Sequence, residues 1–189
     1  VGGRLMTRSK IRTSGAEGLT LSSTDITIAS GDLLFGTSAK GVTLGVTSST
    51  AANTLGDYEE GSWTPVYEGD NGNPTVSYAD QIARYTKVGR LVSVWAYIRV
   101  SSTSGGSGGL KVGGLPFTAA NTNYIASTVG YATSWASNAS PTRLLVRPNT
   151  TVVNAYRQNT SDPRAGMERV QIGNLASNCE LYMASVYYT

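Results

Sequence analysis

The chain has 189 residues, of which 15 are basic and 12 acidic, so its formal net charge is only +3. The basic residues are scattered, which argues against a nucleic-acid-binding surface and against a polybasic membrane patch. It has no histidine and a single cysteine, Cys179. These counts exclude, within one chain, a His/Cys zinc site, a Ser-His-Asp or Cys-His catalytic centre and a disulfide.

No apolar run approaches the roughly 20 residues that a membrane-spanning helix needs, so we expect no membrane insertion. We also expect no cofactor. The chain opens on Val-Gly-Gly rather than on methionine and shows no signal-peptide pattern. We therefore expect a processed product or part of a longer chain. Residues 1–18 are expected to form an irregular lead-in, with a short helix as the alternative.

Residues 19–54 are predicted to form a stem. Short apolar pulses with period two recur at residues 19–21, 26–28, 33–35 and 42–44, separated by Ser, Thr, Asp or Gly. A segment this thin cannot bury enough apolar surface by itself. The pulses therefore favour an arrangement in which several copies of the chain wind together. Each copy would then bury its apolar residues against the others, as neighbouring repeats do in a repeat protein. The alternative is a flexible Ser/Thr linker.

The segment LGDYEEGSWTP, residues 55–65, holds three of the 12 acidic residues: Asp57, Glu59 and Glu60. Three interpretations compete for them. Glycoside hydrolysis needs two carboxylates about 5–9.5 Å apart across a cleft, and a hard cation such as Ca²⁺ needs several oxygen ligands. The third interpretation, which we prefer, is a structural junction that ends the stem and starts a head domain.

In the structural interpretation, Tyr58 and Trp63 fill the base of the head, because each has a large apolar body with one polar group. The three acids then cap backbone N–H groups or pair with Arg or Lys, including residues of a neighbouring subunit. Gly56 and Gly61 are expected to give the backbone the freedom to turn.

Residues 55–189 are predicted to form an all-β head. The clearest strand is RLVSVWAYIRV, in which Val92, Val94, Ala96, Ile98 and Val100 form one wholly apolar face. The sequence Val-Gly-Arg at 88–90 predicts a tight turn into this strand. Further strands are expected at NYIASTVGY, TRLLVR, TVVNAYRQ, ERVQIG and ELYMASVYY. Short strands separated by turn signals indicate a β-sandwich, jelly-roll-like in style, or a barrel.

The predicted ligand-binding residues lie in two turn-rich stretches. The segment GYATSWASNASP supplies Tyr131, Trp135 and Asn138, and Tyr124 precedes it. Exposed aromatic faces stack on sugars and amides bond their hydroxyls, so we expect a glycan here, with residues 156–164 as a second choice. The alternative for Tyr131 and Trp135 is packing in the core or between subunits.

Three other side chains are expected to serve packing. Trp95 and Tyr97 share one strand face, where packing is favoured over ligand binding. Cys179 is expected to be a small buried residue rather than a reactive thiol.

The motif series resembles a module at the C-terminal ends of bacteriophage tail-fibre and related virion proteins. In that group an Asp-Tyr-Glu-Glu-Gly-(Ser/Thr)-(Trp/Phe)-Thr-Pro junction follows a thin trimeric stem. A β head comes next, with a Tyr-Thr-Lys-(Val/Ile)-Gly hairpin and a Gly-Leu-Pro-Phe segment. The matching positions are 57–65, 85–89 and 114–117, and the resemblance spans residues 31–117.

The resemblance implies a homotrimer on an external virion appendage that binds a host surface. The leading expectation is a non-enzymatic fibre tip that attaches to a bacterial surface glycan at several sites at once. Its partners would be two further copies, other virion proteins through the N-terminal part, and host-surface polysaccharide. The alternatives are a purely structural virion protein, such as a head fibre or trimerisation cap, and a fragment of a glycan-degrading tailspike.

Overall fold

The structure is a computed structural model that describes residues 41–45, 54–159, 161–162 and 166–189. All of these residues belong to the unit Ala39–Thr189. The predicted lead-in and most of the predicted stem lie outside the described residues. Of the stem pulses, only the last is described: β1 (Val42–Thr43) pairs antiparallel with β2 (Thr54–Leu55), with Val42 opposite Leu55.

The remaining strands form one antiparallel sheet. They are β3 (Tyr58–Ser62), β4 (Val66–Gly69), β5 (Thr75–Val88), β6 (Leu91–Ser104), β7 (Leu110–Gly113), β8 (Ile125–Thr133), β9 (Arg143–Val146), β10 (Val153–Gln158), β11 (Met167–Arg169) and β12 (Glu180–Tyr188). Their order in the sheet is β3-β5-β6-β12-β8-β9-β10-β7-β4, with β11 on the side of β10. The prediction of an all-β fold is confirmed for the residues that the structure describes.

The sheet curls around its core at β8, where different parts of one strand pair with different partners. The first part of β8, Ile125 to Ser127, pairs with β9, and its second part, Thr128 to Thr133, pairs with β12 across an irregularity. The sequence analysis expects a β-sandwich or a barrel, and in the structure β8 joins both halves into one continuous path of paired strands. The trimeric state and the stem-plus-sandwich arrangement stay predictions.

The two ends of the path, β3 and β4, are joined by only three residues, 63–65. The backbone N–H of Trp63 donates to the Ala83 carbonyl at 3.4 Å, and Gln81 Nε2 donates to the Pro65 carbonyl at 2.5 Å. These bonds hold the connection against β5. For convenience, β3, β5, β6, β12 and the second part of β8 are called the first half-sheet, and the remaining strands the second half-sheet.

The core follows from strict alternation. The predicted apolar face of β6, residues 92–100 in steps of two, is at most 2% exposed, and Leu181, Met183 and Tyr187 of β12 are equally buried. The predicted hairpin is confirmed: Gly89 and Arg90 connect β5 to β6, and Gly89 has a φ of +57°, which favours glycine. Cys179 is fully buried, as predicted, and its burial raises the pKa of the thiol.

Helical structure within the described ranges is limited to two 3-10 turns, Ala136–Asn138 and Ile172–Asn174. No helix in those ranges is long and apolar enough to cross a membrane.

Candidate functional site

The junction segment is held in the head by Trp63. Its side chain is 7% exposed, and its Nε1 donates to the Arg84 carbonyl at 3.2 Å. This placement agrees with the predicted packing role. Tyr58 differs from the prediction, because it is 64% exposed and its hydroxyl donates to Glu60 Oε2 at 2.8 Å. That hydrogen bond to the carboxylate raises the pKa of Tyr58, and the ring is not buried among the residues that the structure describes.

The other two junction acids also have partners in the same chain. Asp57 forms an ion pair with Lys87, whose side chain is nearly buried and lies over the Phe117 ring at 5.4 Å. Glu59 Oε1 accepts a 2.5 Å hydrogen bond from the Tyr85 hydroxyl, which raises the pKa of Tyr85. The acids therefore tie β3 to β5, in line with the preferred structural interpretation.

Gly61 contributes to this arrangement through close approach rather than through a turn. It lies within β3, opposite Tyr85, and a Cβ placed there would lie 2.8 Å from the Tyr85 ring. Within the described ranges, no three His, Cys, Asp or Glu side chains are grouped so that they could hold a metal ion.

The predicted ligand-binding residues are not brought together. Trp135 is only 6% exposed: its Nε1 donates to the Glu180 carbonyl at 3.1 Å, and its ring meets Tyr67 edge-on at 6.0 Å. It therefore offers no face for a sugar to stack on, and the alternative of core packing describes it correctly. Asn138 is exposed in the 3-10 turn, and Tyr124 is 50% exposed before β8.

Tyr131 is 53% exposed and belongs to a larger surface. Directly opposite residues of paired strands share a face, so the register places many exposed apolar side chains on the side of the first half-sheet that is turned away from the core. We call this side the outer face. Its exposed apolar residues are Tyr58, Ile82, Val88, Leu91, Trp95, Tyr131, Tyr182, Val186 and Tyr188.

One line of the outer face, the tyrosine row, crosses four strands through Ile82, Tyr97, Tyr182 and Tyr131, which are opposite one another in register. The rings of Tyr97 and Tyr182 stack with centroids 4.3 Å apart, and Tyr131 meets Tyr182 edge-on at 6.1 Å. A second line at the sheet end, the junction row, consists of Tyr58, Val88, Leu91 and Tyr188.

Between the two rows lies a band centred on Trp95, which is 47% exposed. On one side is a depression of ≈ 520 Å³ lined by Glu60, Gly61, Ser62, Arg84, Tyr85 and Thr86. Arg84 lies directly opposite Trp95, and Thr86 opposite Ser93. Charged and hydroxyl groups therefore stand beside the indole.

On the other side of Trp95 the floor is made of small residues. Two depressions of ≈ 210 and ≈ 250 Å³ share Thr128 and Ala184, and the first is bordered by Trp95 and Tyr182. We call all three depressions, together with Trp95, the Trp95 band. It crosses five strands, so its length is roughly 19 Å, because neighbouring strands lie about 4.8 Å apart.

The outward side of the second half-sheet has different chemistry. Asp70 pairs with Lys111 at 3.6 Å and with Arg169 at 3.2 Å. The Arg169 guanidinium also lies 5.3 Å from the Tyr156 ring centre. We call this surface the charged face. Tyr156, from the second predicted ligand-binding stretch, is half-buried here.

The sequence analysis did not select Trp95 as a ligand residue. The signal was present in the alternation of β6: the wholly apolar face must turn inward, so the mixed face that carries Trp95 must turn outward. Trp95 is therefore exposed, whereas Trp63 and Trp135 are buried.

No protein-family model matches the chain, and no curated protein matches it. Among solved structures, the chain resembles the crystal structure of the Dettilon tailspike protein (gp208), with a TM-score of 0.56 and 18% sequence identity. The match covers 69% of this chain and 24% of the tailspike chain, so the present chain matches about a quarter of that protein's length. The likeness shows a common fold.

Proposed function

We propose that the chain is a receptor-binding part of a phage tail appendage and that it holds a host-surface saccharide in the Trp95 band. The observation that carries the proposal is the exposed indole of Trp95 between a polar depression and a floor of small residues. The fold shared with a tailspike and the junction motif at residues 57–65 support the phage setting.

The chemistry of the band suits a sugar. The apolar C–H face of a pyranose ring stacks on an exposed indole, while a few polar groups fix its orientation. The Glu60 carboxylate accepts hydrogen bonds from sugar hydroxyls, and the Arg84 guanidinium donates to ring or hydroxyl oxygens. The small residues Ala184 and Thr128 leave room for the saccharide to continue across β12 and β8.

The binding is proposed to be non-catalytic and multivalent. A shallow open band holds each saccharide weakly, but linked sites on several copies raise the overall avidity by about 10² to 10⁴. A homotrimer on the virion surface would present three such bands. Tyr131 is proposed to border the saccharide-binding surface, because it contacts Tyr182. Trp135 is not proposed as a ligand-binding residue.

Binding of the labelled full chain to a bacterial polysaccharide array and to host cells tests the proposal. Trp95→Ala should weaken binding at least about 10-fold, as expected for a central aromatic anchor, with the thermal midpoint and the assembled mass unchanged. Tyr124→Ala is the matched control, because it also removes a half-exposed aromatic, outside the outer face. Normal binding by Trp95→Ala, or an equal loss in the control, would refute the proposal.

A glycan-degrading tailspike fragment is the second candidate, because the Glu60 carboxylate lines the largest of these depressions. Hydrolysis requires a second carboxylate across the scissile bond. The nearby acids Asp57 and Glu59 are engaged by Lys87 and by the Tyr85 hydroxyl. If the wild-type chain shortens a bound polysaccharide and Glu60→Gln does not, this candidate replaces the non-catalytic one.

A purely structural virion protein is the third candidate, favoured by the apolar rows of the outer face. It predicts that the wild-type chain binds neither the array nor the cells, while it still assembles.

A further inference from the structure

We propose that the saccharide held in the Trp95 band is acidic and that the Arg84 guanidinium binds its anionic group. The inference rests on the proposed function and deepens it, because it names the chemical class of the sugar. A carboxylate or a phosphate on the sugar, rather than hydroxyl groups alone, then decides which polysaccharide is bound.

Arg84 is a strand cation of the outer face that forms no ion pair within the described part of the chain. The other such cation, Arg99, pairs with Asp80 at 2.9 Å. The Arg84 guanidinium donates one long hydrogen bond, from Nη1 to the Ala83 carbonyl at 3.4 Å. A guanidinium carries five N–H donors. Since Arg84 is exposed, its remaining donors are open to a ligand.

The position of Arg84 relative to the indole suits an acidic sugar. Arg84 lies directly opposite Trp95, and directly opposite side chains of paired strands are about 5 Å apart at Cβ. A pyranose ring stacked on the indole directs its equatorial substituents sideways, toward the neighbouring strands. An acidic substituent on the edge that faces β5 therefore meets the guanidinium. The planar fork of a guanidinium binds two oxygens of a carboxylate or phosphate at once.

The charged residues of the band lie on one side of Trp95. The depression toward β3 is lined by Arg84 and Glu60 among others, whereas the residues that line the two depressions toward β12 and β8 are uncharged. This asymmetry orients the sugar, with its acidic edge toward β5 and an uncharged continuation toward β8.

Glu60 limits where in its depression an anion can lie. Its carboxylate repels a second negative charge at short range, and its Oε2 already accepts the Tyr58 hydroxyl. Glu60 lies opposite Thr86, whereas Ser62 lies opposite Arg84. We therefore place the anionic group beside Arg84 and Ser62, whose hydroxyl adds a donor. Glu60 is left to accept hydrogen bonds from sugar hydroxyls.

Binding of the full chain to matched forms of each polysaccharide tests the inference. Every polymer of the bacterial array is immobilised in three forms: native, with its carboxylates reduced to alcohols, and with its phosphates removed. The wild type should bind an acidic native polymer and lose at least about 10-fold in affinity for one treated form, because hydrogen bonds to charged groups are the stronger ones. The treatment that weakens binding identifies the anion as a carboxylate or a phosphate.

Arg84→Gln supplies the matching change in the protein. It should weaken binding of the native acidic polymer by about the same factor and leave binding of the neutralised form unchanged. Arg84→Lys keeps the charge without the planar fork, so its affinity should lie between the two. Arg143→Gln is the matched control, because it removes the same charge from an exposed position of β9, outside the outer face. It should bind as the wild type does.

Failure of the inference is distinguishable from failure of the proposed function. The inference is overturned if the wild type binds neutral polymers alone, binds native and treated forms equally, or keeps its preference for the acidic form in Arg84→Gln. The Trp95 band then still stands or falls on the Trp95→Ala result. If the wild type binds no polymer of the array, the proposed function fails and the inference fails with it.

Discussion

The outer face and the charged face belong to one curled sheet. They differ in that ion pairs dominate the charged face, whereas exposed apolar side chains dominate the outer face. On the charged face, Asp70 is shared by Lys111 and Arg169, so these charges find their partners within the chain. On the outer face, Trp95, Tyr182 and the junction row stay open to water. Under the function proposed above, the charged face serves the fold and the outer face serves partners.

The first test of this comparison concerns the core, which lies under both faces. Trp135→Ala removes a buried indole and its hydrogen bond to the Glu180 carbonyl. The free energy of unfolding should fall by about 3–5 kcal/mol, as for other buried large-to-small changes. Denaturant unfolding measures it. A stable Trp135→Ala protein that has lost only saccharide binding would show that Trp135 is a ligand residue after all.

The second test concerns the charged face. Asp70→Asn removes the carboxylate that two cations share, and the three side chains are 15–35% exposed. We expect the free energy of unfolding to fall by about 1–2 kcal/mol, since the site is only partly shielded from solvent. The difference from wild type should shrink at high salt.

Asp70→Asn should bind the polysaccharide array as the wild type does. A loss of binding without a loss of stability would move the saccharide site to the charged face.

The third and smallest effect contrasts neighbouring tyrosines of β12. Tyr187 is fully buried, Tyr188 is 55% exposed, and burial raises the pKa of Tyr187 from 10.0 to about 12. The folded state therefore keeps this proton more tightly than the unfolded state does. The stabilising contribution is fully present below pH 10 and is lost as the pH rises through about 12.

Tyr187→Phe should therefore flatten the decline of the thermal midpoint between pH 10 and 12. The slope should be reduced rather than abolished, because burial also raises the pKa of Tyr67 and of Cys179. Tyr188→Phe is the matched control and should keep the wild-type slope. An equal flattening in both variants would contradict the assignment of Tyr187 to the inside.

Alternation along the strands was enough to predict much of the fold. The inward face of β6, the turn at Gly89 and the strand ELYMASVYY follow from period two and from glycine's positive φ. The segment SSTSGGSGG has the Gly/Ser composition that is typical of a loop, but its first four residues extend β6, where the Ser101 hydroxyl donates to the Ser77 carbonyl at 3.0 Å. Polar strands of this kind lack the apolar alternation that predicts a strand.

The candidate site was less predictable. The turn-rich surroundings of Trp135 favoured exposure, but the loop folds back so that the indole reaches Tyr67 and the Glu180 carbonyl, which are remote in sequence. The curl at β8 depends on which strand each part of it pairs with, and local patterns carry no information about that choice. The grouping of Trp95 with Arg84 and Glu60 depends on strand register, which also becomes visible only in the folded chain.

Acrylamide quenching of tryptophan fluorescence tests the central claim most directly, because Trp63 and Trp135 are buried and Trp95 is exposed. In the assembled wild-type protein one quenchable tryptophan is predicted, and it should be absent in Trp95→Phe. A polysaccharide that the protein binds should shield it. The claim is contradicted if Trp95 is already inaccessible without saccharide, or if the saccharide binds and the quenching stays unchanged.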